Sequence, residues 1–485
     1  MRERIYKKNR ILLIGLGPHA REYHFLIIKS IGKQEDVEIS CIIDLVNQKD
    51  TLVKYLRSND YDINKLYLLE DSERNKEYLS RETIQLLDEL VVKYSINAIM
   101  IATEPKAHKA YAIWAKKVGL KILIDKPISA PIMDIYEAQT AEKIFKDYIE
   151  IKDAGNRNDI VAILASRRTH PVIEYVYDYL KNFIELYQVP ITHISIYHTE
   201  GMWNMPNEYL IRENHPYKYG YGLMLHSGYH FIDLYLHFLK LNNYIEKMNS
   251  SKIDFVCSFT TPEDINSVIN RKIYNRLLKK DFPEIDSCAD IYRNMGEVDA
   301  QILCRSSGKE GFITSGVINL LQTSYSTRYR TELPVNTYKE NGRTYQEIIS
   351  IELGHILCIY IYKMSAGKVL HENIGSDEFV VKIFRNSNLL GGDTLINKKF
   401  NKEVVFEIGE KEHVGTIGMA ARTKLIYDWL YGGNQISNLE SHVNSIRFLA
   451  EIYKSIFNAR KNGKYFEEGS FLLKNNEEME FENEK

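Results

Sequence analysis

Two histidines and an aspartate between residues 220 and 233 have the spacing of side chains on one face of a helix. His226 and His230 are four residues apart, and Asp233 follows three residues later. Side chains three and four residues apart project from the same side of a helix. An unperturbed imidazole titrates close to neutral pH, so either histidine could take up and release a proton during a reaction. Asp233 could orient an imidazole ring or serve as a structural partner.

A pair of histidines four residues apart could also bind a metal ion. No H-E-x-x-H motif accompanies this pair, and the nearest acid is Asp233. The cysteines are scattered and never in C-x-x-C spacing, which argues against a zinc site and a disulfide framework. They are Cys41, Cys257, Cys288, Cys304 and Cys358. We therefore expect no metal and a reducing compartment.

A glycine-rich turn of the form G-x-G-x-x-A follows the apolar run Ile11–Ile14. Its two glycines leave room for a pyrophosphate, and its alanine lets the next helix pack closely against the strand. The phosphates would then lie at the amino terminus of that helix. The turn therefore predicts a dinucleotide-binding site. The residues assigned to it are Gly15, Gly17, Pro18, His19 and Ala20.

The second strand indicates which dinucleotide is bound. The β-rich run Val37–Asp44 ends in an acid, and an acid at this place can accept hydrogen bonds from the adenosine ribose hydroxyls. No arginine follows Asp44 to neutralise a 2′-phosphate, so NAD is favoured, although Lys49 leaves NADP open. The alternative is an acid that ends a strand at a turn.

A lysine follows the predicted strand Leu120–Asp125, in the tripeptide Asp125-Lys126-Pro127. In α/β sheets, ligands bind beyond the carboxyl ends of the strands. An ammonium group beside a carbinol oxygen stabilises the negative charge that develops while hydride leaves the carbon. Lys126 is therefore our first candidate for a catalytic residue, and a solvated lysine at a strand end is the alternative.

Strands and helices alternate through the first third of the chain, which predicts a parallel sheet with helices on both faces. Beyond Pro127 the predicted segments become longer, and we place a domain boundary near Ala130. The predicted domains are 1–130 for the dinucleotide and 131–473 for substrate and oligomer contacts, with an elaborated insertion at 249–294 and a polar tail at 474–485.

Composition excludes several classes of partner. A chain of 485 residues exceeds what one core usually supports, and its net charge of -2 creates no field that would recruit nucleic acid or anionic lipid. The first apolar run is too short for a signal peptide, and no run approaches the ~18 apolar residues of a spanning helix. We expect a cytoplasmic protein that acts on a small molecule.

Four separated segments occur in an order that resembles the glucose-fructose oxidoreductase and inositol dehydrogenase (Gfo/Idh/MocA) family. They are Ala102–Pro105 with His108, Asp125–Pro127, Arg168–Pro171 and Gly220–Asp233. The closing segment Asn438–Ser455 resembles the carboxy-terminal helix of that family. The resemblance covers most of the chain.

The resemblance implies an α/β protein with an amino-terminal Rossmann domain and a carboxy-terminal α+β domain whose large open sheet is mostly antiparallel. Lys126 would stand between nicotinamide and substrate, and His230 would be the base in oxidation and the acid in reduction. His226 occupies the place of the family's usual aspartate, so a fixed negative charge is missing and the substrate is left open. Further cofactor contacts implied are Thr103, Glu104, Pro105, His108, Asp125, Lys126 and Pro127.

Other candidates for substrate contact lie near these motifs. Arg168 could pair with an anionic or hydroxyl-rich substrate or form an interdomain salt bridge. Aromatic faces suit sugar rings, with core packing as the alternative. The side chains considered for this role are Tyr197, His198, Trp203 and Tyr219. The assigned substrate-binding residues are Arg168, Tyr219, His226 and His230.

The resemblance thus implies an NAD(P)-dependent oxidoreductase that transfers hydride between nicotinamide and a ring carbinol or keto carbon of a sugar, cyclitol or nucleotide sugar. His226 leaves open the reduction of a non-carbohydrate C=N or C=C bond. A dinucleotide-sensing regulator without turnover is a third alternative, against which the joint presence of Lys126 and His230 argues. By analogy with the family, we expect a homodimer or homotetramer.

Overall fold

A computed structural model describes residues 8–33, 35–155, 161–328, 330–332, 342–366, 378–408, 411–433 and 436–473. The chain divides into two units. Unit 1 comprises the described residues of Met1–Pro131, Phe145–Pro171 and Glu403–Val443, and unit 2 those of Ile132–Ile144, Val172–Lys402 and Asn444–Lys485. The sequence does not predict the two later segments of unit 1. The polar tail predicted at 474–485 lies outside the described residues.

The sheet of unit 1 is parallel. Its strands are β1 (Asn9–Ile14), β2 (Val37–Leu45), β3 (Leu66–Leu69), β4 (Ala98–Ile101), β5 (Lys121–Asp125) and β6 (Val161–Leu164). They are ordered β3-β2-β1-β4-β5-β6, and every neighbouring pair is parallel. The order reverses between β1 and β4, which is the point where such sheets bind ligands. The predicted Rossmann domain is confirmed.

Burial explains why the first strand forms where the sequence places it. Ile11, Leu12 and Leu13 are each 0% exposed. Strands that are covered by helices on both faces consist of continuous apolar runs. Each such side chain contributes about 1.5–3 kcal/mol when it leaves water. The strand therefore has a fixed position, and the glycine turn begins directly at its carboxyl end.

The sheet of unit 2 is mostly antiparallel. The remaining strands are β7 (His193–Thr199), β8 (Lys252–Thr260), β9 (Asp299–Gly308), β10 (Gly311–Leu321), β11 (Thr344–Leu353), β12 (Leu357–Ala366), β13 (Phe379–Arg385), β14 (Leu395–Phe400), β15 (Glu403–Ile408), β16 (Lys411–Thr416) and β17 (Phe466–Leu472). Nine of them form one sheet in the order β14-β13-β12-β11-β7-β10-β9-β8-β17, in which β7 and β10 pair in parallel. β15 and β16 form a separate hairpin in unit 1. The predicted open sheet is confirmed.

The helices complete both units. They are α1 (Phe25–Ile31), α2 (Lys49–Ser58), α3 (Arg81–Tyr94), α4 (His108–Val118), α5 (Ala138–Asp153), α6 (Pro171–Tyr187), α7 (Pro206–Ile211), α8 (Tyr229–Leu239), α9 (Pro262–Val268), α10 (Arg271–Leu278), α11 (Glu284–Ser287), α12 (Ala289–Arg293), α13 (Ser387–Leu390), α14 (Ile417–Tyr431) and α15 (Val443–Lys461). The predicted insertion 249–294 contains a strand of the large sheet, β8, followed by the short helices α9 to α12. Among the described helices, none has the length and apolar character needed to cross a membrane.

Candidate active site

The two glycines of the turn are required for different reasons. Gly15 has φ +84°, and a Cβ atom there would lie 2.7 Å from the carbonyl oxygen of Ala102 at the end of β4. A side chain is therefore excluded by the backbone itself. At Gly17, by contrast, a Cβ would meet no described atom within 4 Å. The space beside Gly17 is what a pyrophosphate requires, so this turn fits a dinucleotide.

The helix after the turn starts with an irregular winding. Ala20–His24 form a π-helix, and α1 continues from Phe25. Ala20 is buried, as the predicted close packing requires. π-Helical turns accommodate an extra residue and occur frequently at functional sites. This π-helical turn contains the fully buried His24, whose Nε2 lies 3.3 Å from Oδ2 of Asp125.

Asp44 is held beside the glycine turn by two backbone groups. The N–H of Leu16 donates to its Oδ2 and the N–H of Leu45 to its Oδ1, both at 2.7 Å. Burial raises the pKa of Asp44, although these two hydrogen bonds act in the opposite direction. The carboxylate is thus next to the turn that would hold the pyrophosphate. Its contact with a ribose stays a prediction.

We expect Asp44→Asn to shift cofactor preference toward NADPH by about tenfold. The amide oxygen can still accept one of the two N–H groups, but the negative charge that repels a 2′-phosphate is lost. A tenfold shift corresponds to about 1.4 kcal/mol, which lies between the ~1 kcal/mol for two charges ~4 Å apart in bulk water and the ~4 kcal/mol near a protein surface. The ratio of the NADH and NADPH dissociation constants measures it. Asp50→Asn, at an exposed position of α2, is the control. An unchanged ratio in Asp44→Asn would contradict a ribose contact.

His108 connects the loops that follow β4 and β5. Its ring is 0% exposed, with Nδ1 2.9 Å from the carbonyl oxygen of Pro127 and Nε2 3.0 Å from that of Thr103. The N–H of Ala130 also donates to the carbonyl oxygen of Pro105. His108 therefore holds together the two segments that carry the predicted cofactor contacts from Thr103 to Pro105 and from Asp125 to Pro127. His108, implied by the resemblance as a cofactor contact, thus links the two loops in the structure.

Asp125 anchors the backbone of Lys126. Its Oδ1 accepts the N–H of Lys126 at 2.8 Å, while its Oδ2 faces His24. Burial acts to raise the pKa of Asp125, but the hydrogen bond and charge of His24, with His19 and Lys126 nearby, hold it well below the usual value. Asp125 thus stays ionised between two fixed partners. Lys126 follows β5 at the edge of the sheet predicted from the sequence.

In unit 2, the glycines of the segment 220–233 allow two chain segments to cross. A Cβ on Gly222 would lie 1.8 Å from the carbonyl oxygen of Glu297, and one on Gly296 would lie 2.1 Å from the carbonyl carbon of Tyr221. The side chain of Glu297 then reaches the start of the following π-helix, Met224–Gly228. Its Oε1 accepts the N–H of Met224 at 2.8 Å and the hydroxyl of Tyr453 at 2.9 Å. These contacts fix the segment that carries His226.

Burial raises the pKa of Glu297 from its usual 4.5 to about 7. Between these pH values the folded state keeps a proton that the unfolded chain has released, so stability should fall as the pH rises through this window, by about 3 kcal/mol in total. Glu297→Gln can accept the same two hydrogen bonds without a charge. Its melting temperature should therefore fall less than that of the wild type between pH 5 and pH 8. Scanning calorimetry measures both.

The exposed Glu310 supplies the matched control for this stability prediction. Glu310→Gln should follow the wild-type pH dependence. Parallel curves for the wild type and Glu297→Gln would show that Glu297 does not titrate in this range.

His226 is surrounded by protein groups. Its Nε2 lies 3.1 Å from the carbonyl oxygen of Pro216, and its ring stacks on His215 at 4.8 Å and meets Tyr217 edge-on at 5.1 Å. A carbonyl oxygen can only accept, so Nε2 carries a proton. His226 therefore presents a hydrogen-bond donor to its neighbour, where the family's usual aspartate would present only acceptors.

His230 and Asp233 lie on α8, while His226 lies in the preceding π-helix. His230 is half-buried. Asp233 is 0% exposed and accepts the hydroxyl of Ser445 on α15 at 2.6 Å. This bond favours the structural role among the two that the sequence left open for Asp233. The role of His230 stays a prediction.

A polar cluster at the end of β7 and the start of β11 joins His198, which the sequence offered as an aromatic candidate, to a charged pair that the sequence does not predict. Glu200 forms an ion pair with Arg343, and Nε2 of His198 lies 3.9 Å from the same carboxylate. The His198 ring stacks on Phe231 of α8 at 4.0 Å. Burial opposes ionisation of Glu200, but the Arg343 guanidinium holds its pKa well below the usual value. No local pattern announces this pair, because its members are 143 residues apart.

The other substrate candidates have partners within their own units. The buried guanidinium of Arg168 donates to Ser441 and to the carbonyl oxygen of Ile436, which favours a structural role inside unit 1. Tyr219 donates its hydroxyl to Glu213 at 2.9 Å. Trp203 donates to the hydroxyl of Tyr274, inside an apolar cluster. Substrate contact by Arg168 or Tyr219 stays a prediction.

A Rossmann sheet with open space beside Gly17 of its glycine turn, followed by a large, mostly antiparallel sheet, defines a dinucleotide-binding protein of two units. Residues 9–152 match the family model GFO_IDH_MocA, described as an oxidoreductase family with an NAD-binding Rossmann fold. The amino-terminal part of the chain is therefore similar to the Gfo/Idh/MocA family of oxidoreductases. The resemblance stated from the sequence, the enzyme class and the NAD-type cofactor are thereby confirmed.

Solved structures share the fold at low sequence identity. Levoglucosan dehydrogenase in complex with NADH and levoglucosan has a TM-score of 0.55 at 13% identity, covering 97% of this chain and 100% of that chain. The WlbA dehydrogenase from Bordetella pertussis, in complex with NADH and UDP-GlcNAcA, has a TM-score of 0.53 at 13% identity, with 97% and 99% covered. A myo-inositol dehydrogenase from Corynebacterium glutamicum has a TM-score of 0.50 at 12% identity, with 97% and 100% covered. A comparison with curated protein sequences finds no match.

Proposed function

We propose that this oxidoreductase transfers hydride between NAD and a ring carbinol or keto carbon of a sugar, cyclitol or nucleotide sugar. The observation that carries the proposal is the anchoring of Lys126. Its backbone is held by Asp125, and Asp125 in turn faces His24 from the helix of the glycine turn. The candidate catalytic lysine and the candidate pyrophosphate turn thus belong to one connected set of contacts in unit 1.

The residues of unit 1 suit a nicotinamide dinucleotide. The open space at Gly17 and the helix that starts at Ala20 would take the pyrophosphate, and Asp44 would take the ribose hydroxyls. NAD is favoured over NADP because Asp44 carries a negative charge beside the ribose site. When bound, the nicotinamide ring supplies or accepts the hydride.

Two side chains are proposed to act on the substrate hydroxyl. Lys126 stabilises the negative charge on the oxygen through its ammonium group. His230 accepts the hydroxyl proton in oxidation and returns it in reduction. His226 has its Nε2 proton committed to Pro216, so it contributes a ring and a dipole without a fixed negative charge.

The substrate class is supported by what the structural relatives hold. Two of them are complexes with NADH, one with levoglucosan and the other with UDP-GlcNAcA, and a third is a myo-inositol dehydrogenase. All three named compounds carry hydroxyl groups on a ring. The buried cluster of Glu200, Arg343 and His198 adds hydrogen-bonding groups of the kind that hydroxyl-rich ligands require.

A substrate panel tests the proposal. NADH formation or oxidation is followed by absorbance with sugars, cyclitols and nucleotide sugars in one arm and cyclic imines and activated alkenes in the other. Turnover with the hydroxylated or keto compounds is expected. Turnover with imines or alkenes alone would replace the proposal by the second candidate, which the donor character of His226 favours. Tight NADH binding without any turnover would indicate a regulator.

We propose in addition that two copies pair through the outer face of the large sheet. Strand register places Val256, Leu303 and Val317 side by side on that face, and Leu303 is 58% exposed. Ser195 and Ser350 separate these side chains from Tyr360 in the same row. An exposed apolar patch of this kind marks a contact surface. Light scattering after size exclusion should give at least twice the chain mass for the wild type and one chain mass for Leu303→Glu. Unchanged masses would place the interface elsewhere.

A further inference from the structure

We propose that His19, His24 and Asp125 form a binding site for a divalent transition-metal ion of the zinc class. All three residues belong to unit 1. One ligand atom from each lies within 4.8 Å of the corresponding atoms of the other two. The site shares Asp125 with the contacts that hold Lys126, and His19 with the glycine turn, but binding of the ion can be measured without the reaction.

The donor set determines the kind of ion. Two imidazoles and one carboxylate suit zinc, cobalt(II) and iron(II). With metal–ligand distances of about 2.0–2.2 Å and a tetrahedral arrangement, two donor atoms lie about 3.3 Å apart. His24 Nε2 and Asp125 Oδ2 are 3.3 Å apart. The third ligand, His19, needs to approach by about 1.5 Å, which a rotation of its side chain can supply.

Unsatisfied nitrogen atoms are the second observation. Nδ1 of His19 and Nδ1 of His24 are buried without a hydrogen-bond partner. Buried polar side-chain atoms in native proteins nearly always have a partner. The two rings adjoin each other, with centroids 5.0 Å apart and planes at 85°. Two unsatisfied imidazole nitrogens on adjoining rings point to a ligand that accepts lone pairs.

His24 can coordinate in either of two ways. Its Nε2 can bind the ion together with Asp125, or its Nδ1 can bind the ion while Nε2–H donates to Asp125, as ligating histidines commonly do with carboxylates. In the second arrangement the other oxygen of Asp125 keeps the N–H of Lys126. In the second arrangement Asp125 orients His24 without binding the ion, so His19 and His24 are protein ligands in both arrangements and the two histidine variants test both.

The surrounding charges make the site selective. Asp125 is negative, while Lys126 and Arg422 act on His19 as positive charges. An ion that binds mainly through charge, such as Mg²⁺ or Ca²⁺, is therefore disfavoured. An ion that is stabilised mainly by coordination to nitrogen can bind despite these positive charges. Zinc and cobalt(II) should bind, and magnesium should not compete with them.

Cobalt(II) and zinc titrations of the full chain test this site. The protein is treated with a chelator and dialysed, then titrated with cobalt(II), whose visible absorption reports coordination by nitrogen and oxygen. Zinc stoichiometry is measured by equilibrium dialysis in parallel. We expect one cobalt or zinc ion per chain at this site, and no displacement by millimolar Mg²⁺.

Three variants decide which residues hold the ion. His24→Asn and His19→Asn should each weaken zinc binding at this site at least a hundredfold, while His355→Asn, an exposed histidine of unit 2, should leave it unchanged. His19 is only half-buried, so its variant remains informative if His24→Asn fails to fold. The proposal is overturned if the wild type binds no zinc or cobalt, if His19→Asn binds as the wild type does, or if Mg²⁺ displaces the ion.

Discussion

Lys126→Met should lower kcat by about 10²–10³, the effect of removing one group that stabilises a developing oxyanion. Methionine keeps the length and apolar stem of the side chain but lacks the ammonium group. The contact between the Lys126 N–H and Asp125 uses the backbone, so the loop should keep its conformation. NADH affinity should accordingly change less than about tenfold. Steady-state kinetics with a substrate from the panel and NADH fluorescence titration measure the two quantities.

The exposed Lys117 of α4 is the matched control for this prediction. Lys117→Met removes a lysine from the same unit and should leave kcat unchanged. If Lys126→Met kept half or more of the wild-type kcat, the lysine would be a solvated residue at a strand end, and the mechanism proposed here would be wrong.

His230→Asn should lower kcat/KM by about 10²–10⁴, the usual contribution of a positioned acid–base group. Asparagine fills a similar volume and can form hydrogen bonds, but it cannot take up a proton near neutral pH. The pH–rate profile of the variant should therefore lose the change in rate near neutral pH. A loss of rate with an unchanged profile would instead indicate that His230 only positions the substrate.

His237 lies on the same helix and is the matched control for His230. Its ring stacks on Tyr177 at 4.4 Å. His237→Asn therefore removes a histidine from α8 together with a packing contact, and it should affect thermal stability more than the pH profile. Equal kinetic losses in both variants would indicate damage to α8 and not the loss of a proton carrier.

The Rossmann part of the fold could be predicted because its signals are local, whereas the large antiparallel sheet followed only from the family resemblance. The apolar runs Ile11–Ile14 of β1, Cys41–Ile43 of β2 and Ile122–Ile124 of β5 are continuous, as buried parallel strands require. The later segments of unit 1 could not be predicted, because α14 joins the amino-terminal core through Leu425 and Trp429, some 400 residues from β1. No local pattern records such a distant contact.

The candidate site, like the fold, could be predicted from the sequence only in part. The glycine turn, Asp44, Lys126 and His230 are visible in the sequence because each follows a strand or begins a helix in a recognisable motif. The partners of these residues are not visible. Arg168 illustrates the limit, since its guanidinium has donors suited to a substrate but contacts Ser441, 273 residues away.

The residue types, and the order in which they occur along the chain, determined by themselves that this protein has a dinucleotide-binding domain. They also predicted a lysine that stabilises negative charge on an oxygen and a histidine that carries a proton. Only the tertiary structure decided what each polar side chain touches. His226 and His230 share a spacing of four residues, yet one donates to the carbonyl oxygen of Pro216 and lies in a π-helix, while the other begins α8. Likewise His24 reaches Asp125 across 101 residues. Chemistry depends on the type of side chain, which the sequence states directly, whereas a hydrogen bond depends on distance, which chain folding alone sets.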